Sequence, residues 1–269
     1  MVIKILFIGD IVGKSGRKAV KEILPKLKSE NNIFLTIANG ENLAGGVGIT
    51  PSLAREIRSY GVDVITTGNH VWRRKEIEPF LNIAGYLLRP ENYPPGNPGR
   101  GYLKLTKEGV NIAVINLCGR VFMGPLGNLD CPFRTADRLI KELEDKVSVI
   151  IVDIHAEATS EKTAMGWYLD GRVSAVIGTH THVQTSDERI LSNKTAYITD
   201  AGMVGSIDSI LGVKKEKVIK MFLTQRPMSF SVLKKNIILN SVIIELDEKT
   251  GEASSIRRVN IPHITIGSN

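Results

Sequence analysis

The sequence predicts an α/β protein built on a parallel-rich β-sheet. Apolar runs of strand length alternate with segments of helical periodicity over residues 2–177 of the 269-residue chain. Continuous apolar strands of this kind are typical of sheets that helices cover on both faces. The predicted strands span residues 2–8, 33–38, 62–66, 111–117, 147–152 and 173–177.

Local signals support this division of the chain. Thr50 and Pro51 are typical of a helix start, with a side-chain cap and a proline at the first helical position. After residue 236 the pattern changes, and a polar turn between two β-rich stretches predicts a C-terminal β-hairpin at about 237–262. Strand-like sequence resumes beyond the Pro/Gly-rich stretch 92–99, so we expect one domain over residues 1–269.

Charge alone identifies no partner. The formal net charge of +7 would suit an anionic partner, but the basic residues are spread over many short helical segments. The densest basic run, residues 214–220, is interrupted by Glu216 and by apolar residues, and no aromatic residues interleave with it. The solvated face of an amphipathic helix explains this run better than a nucleic-acid-binding stripe does.

Cysteine usage favours a reducing compartment, and the hydropathy of the chain favours a protein without a membrane partner. Cys118 and Cys131 form no CxxC pair, which argues against a disulfide framework and a cysteine-ligated zinc site. The apolar start of the chain is too short and too β-branched for a signal peptide, and no apolar stretch approaches membrane-spanning length. We therefore expect a cytoplasmic protein with no membrane partner.

Side chains that can bind metals follow the predicted strands. Four of the five histidines fall in three short segments, 68–70, 153–155 and 178–182. Because the carboxyl ends of parallel strands meet at one edge of a sheet, we expect these segments to form one site. The candidate site residues are Asp10, Glu41, Asn42, Asn69, His70, His155, His180 and His182.

The chemistry of these donors favours divalent transition metals. In an extended chain the spacing of His180 and His182 places both imidazoles on the same side, within reach of two neighbouring ions, while Thr181 points away. A carboxylate such as Glu41 can bridge two ions, and the Asn42 amide oxygen can complete a shell without adding charge. Such donors accept Fe, Mn, Zn, Co or Ni, and no thiolate narrows the choice.

Three further polar residues receive non-catalytic interpretations. Glu157 and Glu161 follow His155 at a predicted helix start, where acids favour the helix dipole, so capping is the better interpretation than metal ligation. His263 lies in the predicted hairpin without an acidic neighbour in sequence, and we expect a surface or edge-strand residue.

The ordered motifs resemble those of calcineurin-like metallophosphoesterases, and more closely those of the bacterial YmdB-like 2′,3′-cyclic-nucleotide phosphodiesterases. The chain departs from the general superfamily pattern at Val12, where a histidine is usual, and at Glu41, where the bridging acid is usually Asp. The resemblance covers essentially the whole chain. The matching segments are 7–10, 39–42, 67–70, 153–162, 178–185 and 197–203.

The resemblance implies a sandwich of two mixed β-sheets flanked by helices and a site for two divalent metal ions, with iron or manganese expected. One implied ligand set is Asp10, Glu41, Asn42 and His182. The other implied set is Glu41, Asn69, His155 and His180. Two divalent ions, two carboxylates and one hydroxide leave a formal charge of about +1, which complements a phosphodiester monoanion.

The implied activity is hydrolysis of 2′,3′-cyclic nucleotides to 3′-nucleotides. A metal-bound hydroxide is expected to attack phosphorus, while His70 protonates the departing oxygen. The expected partners are the cyclic nucleotide, RNA ends or regulatory RNA, and further copies of the chain. Two alternatives stay open: a metal-dependent phosphatase or phosphodiesterase acting on another phosphoester, and a regulatory protein that binds metal or nucleotide with little turnover.

Overall fold

The computed structural model describes residues 1–124 and 129–263. Two mixed β-sheets pack face to face and helices cover their outer faces, which confirms the predicted α/β sandwich. The helices are α1 (Gly13–Asn31), α2 (Pro51–Ser59), α3 (Ile77–Leu81), α4 (Pro132–Leu143), α5 (Thr159–Tyr168) and α6 (Lys215–Thr224), with a 3₁₀ turn at Val71–Arg73. The strands are β1 (Val2–Ile8), β2 (Asp10–Ile11), β3 (Leu35–Asn39), β4 (Val64–Thr66), β5 (Tyr102–Lys107), β6 (Val110–Cys118), β7 (Val149–His155), β8 (Ala175–Thr179), β9 (Arg189–Ile190), β10 (Ala196–Ile198), β11 (Met203–Ser206), β12 (Ile237–Asp247) and β13 (Ala253–His263).

The two sheets divide the predicted parallel strands between them. In the first sheet the strand order is β2-β11-β12-β1-β3-β4, with β13 beside β12, and in the second it is β5-β6-β7-β8-β10-β9. Strands β1, β3 and β4 are parallel to one another, as are β6, β7 and β8. The parallel strands that the sequence predicts are therefore divided between the two sheets, and antiparallel strands complete each sheet.

Successive side chains along the strands point to opposite faces of the sheet, so each sheet has a separate core on each of its faces. In β1, Ile5 and Phe7 pack into the core between the sheets, whereas Leu6 and Ile8 pack against the helices outside. All four side chains are fully buried. Helices α1, α2 and α3 cover the outer face of the first sheet, and α4 and α5 cover that of the second. This burial on both faces explains why the strands are continuously apolar.

The helix start predicted at Thr50 has the expected geometry. The Thr50 hydroxyl accepts a hydrogen bond from the Leu53 N–H at 3.3 Å, and Pro51 occupies the first turn of α2. Gly61 follows the end of this helix with φ +104°, a left-handed conformation that favours glycine. Within the described residues, no helix combines the length and the apolar character that crossing a membrane requires.

The C-terminal strands pair over their whole length. Strands β12 and β13 run antiparallel, with His263 opposite Ile237 at one end and Ala253 opposite Leu246 at the other. Of the two expectations for His263, the edge strand is correct, because His263 ends β13 and β13 pairs with β12 alone among the described strands. The surface position is wrong, because the side chain is buried and its Nε2 lies against the Glu22 carboxylate of α1. Sequence proximity could not reveal this acidic partner, which lies 241 residues away.

Candidate active site

All eight candidate residues meet at one edge of the sandwich. Asp10 is the first residue of β2 in the first sheet, two positions after the end of β1, and His155 is the last residue of β7 in the second sheet. The others occupy loops that directly follow β3, β4 and β8. The site therefore lies where the carboxyl ends of the parallel strands of both sheets meet, rather than at the edge of a single open sheet.

Glu41 occupies the centre of this cluster. Its side chain is 1% exposed. One carboxylate oxygen, Oε2, lies 3.2 Å from His155 Nε2 and accepts the His70 backbone N–H at 3.1 Å. The other, Oε1, lies 3.2 Å from His70 Nδ1 and 3.3 Å from Asn42 Nδ2. Glu41 thus contacts residues from both of the ligand sets that the family resemblance implies.

The first group of donors surrounds His155, whose side chain is fully buried. Its Nε2 lies 3.1 Å from Asn69 Oδ1 and 3.0 Å from His180 Nδ1. Glu41, His155 and His180 each offer an atom that could bind a metal ion, and these atoms all lie within 4.8 Å of one another. Four residues from three loops and one strand end therefore direct nitrogen and oxygen atoms toward a common point.

The second group of donors surrounds Asp10. Its Oδ1 lies 3.7 Å from His182 Nε2 and 3.4 Å from Asn42 Nδ2. Asn42 Nδ2 is also 3.1 Å from His182 Nε2, and its Oδ1 is 3.0 Å from His70 Nδ1. An oxygen ligand from Asn42 in this group would require a half-turn of the amide, which exchanges its nitrogen and oxygen.

The backbone that carries His180 and His182 is not extended. His180 has φ 98° and His182 has φ 63°, both in the left-handed region that residues other than glycine rarely adopt. The prediction of an extended i, i+2 segment is therefore wrong, although both imidazoles reach the site. The left-handed turns direct His180 toward His155 and His182 toward Asp10.

A buried polar network fixes the ring of His155. Its Nδ1 lies 2.9 Å from the Thr179 hydroxyl, which donates to Asp153 Oδ1 at 2.7 Å. The Asn39 amide donates to Asp153 Oδ2 at 3.3 Å and lies 3.3 Å from the same His155 Nδ1. Holding one ring nitrogen in this way leaves Nε2 directed at Glu41 and orients it as metal-binding histidines are commonly oriented.

Charge in the site is balanced between carboxylates and imidazoles. Burial raises the pKa of Glu41, but the charge of His155 and hydrogen bonds from His155 and His70 outweigh it and hold that pKa well below its usual range. Burial lowers the pKa of His155, yet Glu41 and Asp10 outweigh it and raise that pKa to about 9. Burial and the charge of His155 lower the pKa of His180 to about 3. The buried carboxylates therefore stabilise positive charge at this point.

These donors fit divalent metal ions. The cluster contains two carboxylates, two amides and three imidazoles that face one another, and four of these seven residues are buried. Without a cation between them, several of their lone pairs would be directed at each other. Nitrogen and oxygen donors of this kind suit iron, manganese or zinc, and none is a thiolate. A cation among them would replace the protonated imidazole as the partner of the carboxylates.

Two acids near the site have roles that the sequence did not reveal. Glu157 Oε2 lies 3.1 Å from His180 Nε2, and Glu161 accepts the backbone N–H groups of Arg120 and Val121 at 3.0 and 3.2 Å. Glu161 does lie in the first turn of α5, where an acid favours the helix dipole, as expected. The interpretation as side-chain caps is wrong, because Ala158 is the N-cap residue and both carboxylates contact other loops. Their partners come from other loops, so local spacing carried no signal for them.

Gly68 is required by the close packing of the site. A Cβ atom at this position would lie 2.1 Å from His155 Cδ2 and 2.5 Å from Glu41 Oε2. We expect Gly68→Ala to displace both side chains and to lower the metal content measured by elemental analysis. Gly85→Ala is the matched control, because a Cβ there meets nothing within 4 Å. Equal metal content in the two variants would contradict this account of the packing.

Comparisons with known proteins agree over nearly the whole chain. The sequence profile of the family described as "YmdB-like protein" matches residues 6–259. A 2′,3′-cyclic-nucleotide 2′-phosphodiesterase of Bacillus subtilis (strain 168) is 50% identical over 258 residues, which cover 96% of this chain and 97% of that protein.

Two solved structures share the fold. A novel phosphatase from Mycoplasma pneumoniae superposes with a TM-score of 0.92 at 35% identity, over 97% of this chain and 94% of that one. A hypothetical protein from Thermus thermophilus gives a TM-score of 0.90 at 40% identity, over 97% and 100% of the two chains. With the two mixed sheets described above, these likenesses confirm the metallophosphoesterase sandwich expected from the sequence.

Proposed function

The chain belongs to the family of YmdB-like proteins, and we propose that it is a metal-dependent phosphodiesterase that hydrolyses 2′,3′-cyclic nucleotides to 3′-nucleotides. The expected substrates include 2′,3′-cAMP and 2′,3′-cGMP. One observation carries the proposal: a buried cluster of metal-binding donors lies at the sheet edge of a chain that is 50% identical to a 2′,3′-cyclic-nucleotide 2′-phosphodiesterase.

We assign the two donor groups to two metal ions that share Glu41. The group around Asp10 would hold one ion and the group around His155 the other. When bound, such a pair clamps the phosphoryl oxygens and lowers the pKa of a water molecule. Iron and manganese are the ions that we propose, because the resemblance to YmdB-like phosphodiesterases implies them and the imidazole, carboxylate and amide donors suit both.

His70 is placed to act as the acid. Its Nδ1 lies 3.2 Å from Glu41 Oε1 and can donate its proton to that carboxylate, a contact that does not depend on how the Asn42 amide is turned. The other ring nitrogen, Nε2, remains to transfer a proton. We propose that the doubly protonated ring gives this proton to the departing 2′ oxygen. Cleavage of the 2′ ester bond leaves the phosphate on the 3′ oxygen.

The substrate is tested by a hydrolysis panel with the metal-loaded chain. We expect 2′,3′-cyclic nucleotides to be cleaved with a higher kcat/KM than 3′,5′-cyclic nucleotides or nucleoside monophosphates, and the product to be the 3′-nucleotide. Chromatography against 2′- and 3′-nucleotide standards identifies the product. A preference for monoesters would favour a phosphatase, the description that the M. pneumoniae structure carries. A chain that binds metal and hydrolyses none of these esters would favour a regulatory binding protein.

Other features support proposals about partners and location. The side chains of Ile219, Phe222 and Leu223 on α6 are exposed, which supports self-association into a homo-oligomer. Contact with RNA, including RNA ends, is a further proposal that the net charge of +7 would suit, although this charge by itself identifies no partner. Cys118 and Cys131 are free cysteines, which supports the cytoplasm as the location.

A further inference from the structure

A buried ion pair lies directly behind the loop that carries His180 and His182. Lys162 of α5 and Asp200, in the turn after β10, have side chains that are 1% and 0% exposed. Lys162 Nζ lies 2.7 Å from Asp200 Oδ2. Removing two charges from water is costly, and a buried pair of this kind is weak grounds for expecting extra stability. Its contacts indicate another role.

Both members of the pair bind Thr181, the residue between the two histidines. Asp200 Oδ2 accepts the Thr181 backbone N–H at 3.0 Å and its hydroxyl at 2.6 Å. Lys162 Nζ donates to the same hydroxyl at 3.1 Å. Asp200 Oδ1 accepts the Gly202 N–H at 2.7 Å, which fixes the carboxylate itself. The main chain and side chain of Thr181 are therefore held from one buried point.

The residues on either side of Thr181 need this support. His180 and His182 both have left-handed φ values, a conformation that costs free energy and persists only where surrounding contacts hold it. A looser loop could relax toward extended backbone, which would change the directions of both imidazoles. His180 contacts the donor group around His155, and His182 contacts the group around Asp10. Thr181 thus lies between one residue of each donor group.

We infer that the Lys162–Asp200 pair, acting through Thr181, is a positioning device that sets His180 and His182 for metal binding. This inference rests on the proposed function, in which both histidines are metal ligands. Neither Lys162 nor Asp200 is assigned contact with the metal ions or the substrate. They act as residues behind metal ligands commonly do, by holding the ligand side chains in the orientation that metal binding requires.

Thr181→Val is the sharpest test, because it removes the hydroxyl while keeping the ion pair and the β-branched shape. The metal-free chain is titrated with Mn²⁺, and its thermal unfolding is recorded in parallel. We expect Thr181→Val to bind Mn²⁺ about 10–100-fold more weakly than the unchanged chain, and Thr181→Ser to restore the affinity. Unchanged affinity in Thr181→Val would overturn the inference.

Thr195→Val is the matched control for loss of a buried hydroxyl. The Thr195 side chain donates to the Val173 carbonyl at 2.7 Å and accepts the Gly171 N–H at 2.9 Å, at the other end of β10. We expect this variant to unfold at a lower temperature but to keep its Mn²⁺ affinity. An equal loss of affinity in Thr195→Val and Thr181→Val would overturn the inference, because the effect would then be a general loss of rigidity.

Two further variants separate the possible failures. Lys162→Met combined with Thr181→Val should bind Mn²⁺ no more weakly than Lys162→Met alone, because both changes disable one device. If the double variant bound Mn²⁺ more weakly than Lys162→Met by the same factor that Thr181→Val causes alone, the role of Lys162 would be overturned. His182→Ala with full affinity would overturn the ligand assignment on which the proposed function depends. Loss of affinity in His182→Ala but not in Thr181→Val would overturn the positioning role alone.

Discussion

Replacement of Glu41 by Gln is expected to abolish most hydrolysis and to reduce the binding of both metal ions. The carboxylate lies between the two donor groups, so the neutral amide would weaken both at once. Metal ions supply several kcal/mol of transition-state stabilisation, and about 1.36 kcal/mol corresponds to a tenfold change in rate, so we expect a loss of about a thousandfold or more.

The loss in Glu41→Gln is measured as kcat/KM for 2′,3′-cAMP together with metal equivalents per chain. Glu245→Gln is the control, because Glu245 lies on β12 and forms an ion pair with Lys4 at 3.2 Å, outside the site. It should leave both quantities near those of the unchanged chain. A Glu41→Gln variant that kept two ions and full activity would exclude the shared carboxylate.

His70→Ala should reduce kcat by about 10²–10⁴-fold while leaving metal content nearly intact. The reason is that His70 contacts Asn42 and Glu41 but is assigned no bond to the ions. The measurement pairs steady-state kinetics with elemental analysis. Loss of both ions from this variant would contradict the role of His70 as the acid.

The leaving group provides an internal control for His70. A phosphodiester with a nitrophenolate leaving group needs little protonation as its bond breaks, so His70→Ala should lose much less activity on that ester than on 2′,3′-cAMP. Equal losses on the two substrates would show that His70 does not serve as the acid. His263→Ala, at the buried contact with Glu22, is the control for removal of a histidine outside the site.

The six strands predicted from apolar runs could be recognised in the sequence because both of their faces are apolar, unlike those of β5 and β13. The predicted strand 2–8 coincides with β1, but the strands predicted at 33–38 and 147–152 extend in the structure to Asn39 and His155. These last residues are polar and buried, so apolar periodicity stops before backbone pairing does. The candidate site residues occupy those strand ends and the loops after them, where hydropathy no longer predicts secondary structure.

The convergence of the candidate residues on one site was predictable from the sequence, whereas the contacts that hold these residues in place were not. Each candidate donor follows an apolar strand, and the topology of parallel strands was enough to predict convergence. The contacts of Asn39 with Asp153 and of Lys162 with Asp200 join residues 114 and 38 positions apart. The left-handed backbone at His180 and His182 opposes local preference and follows from tertiary contacts. Such features depend on the assembled fold, and no local pattern encodes them.

A titration of activity against bound metal tests the central claim most directly. The metal-free chain is loaded with increasing Mn²⁺, bound ions per chain are counted, and hydrolysis of 2′,3′-cAMP to the 3′-nucleotide is measured at each step. The two donor groups predict that activity rises to a plateau at two bound ions per chain. Full activity with no bound metal, or a plateau at one ion per chain, would contradict the two-metal phosphodiesterase.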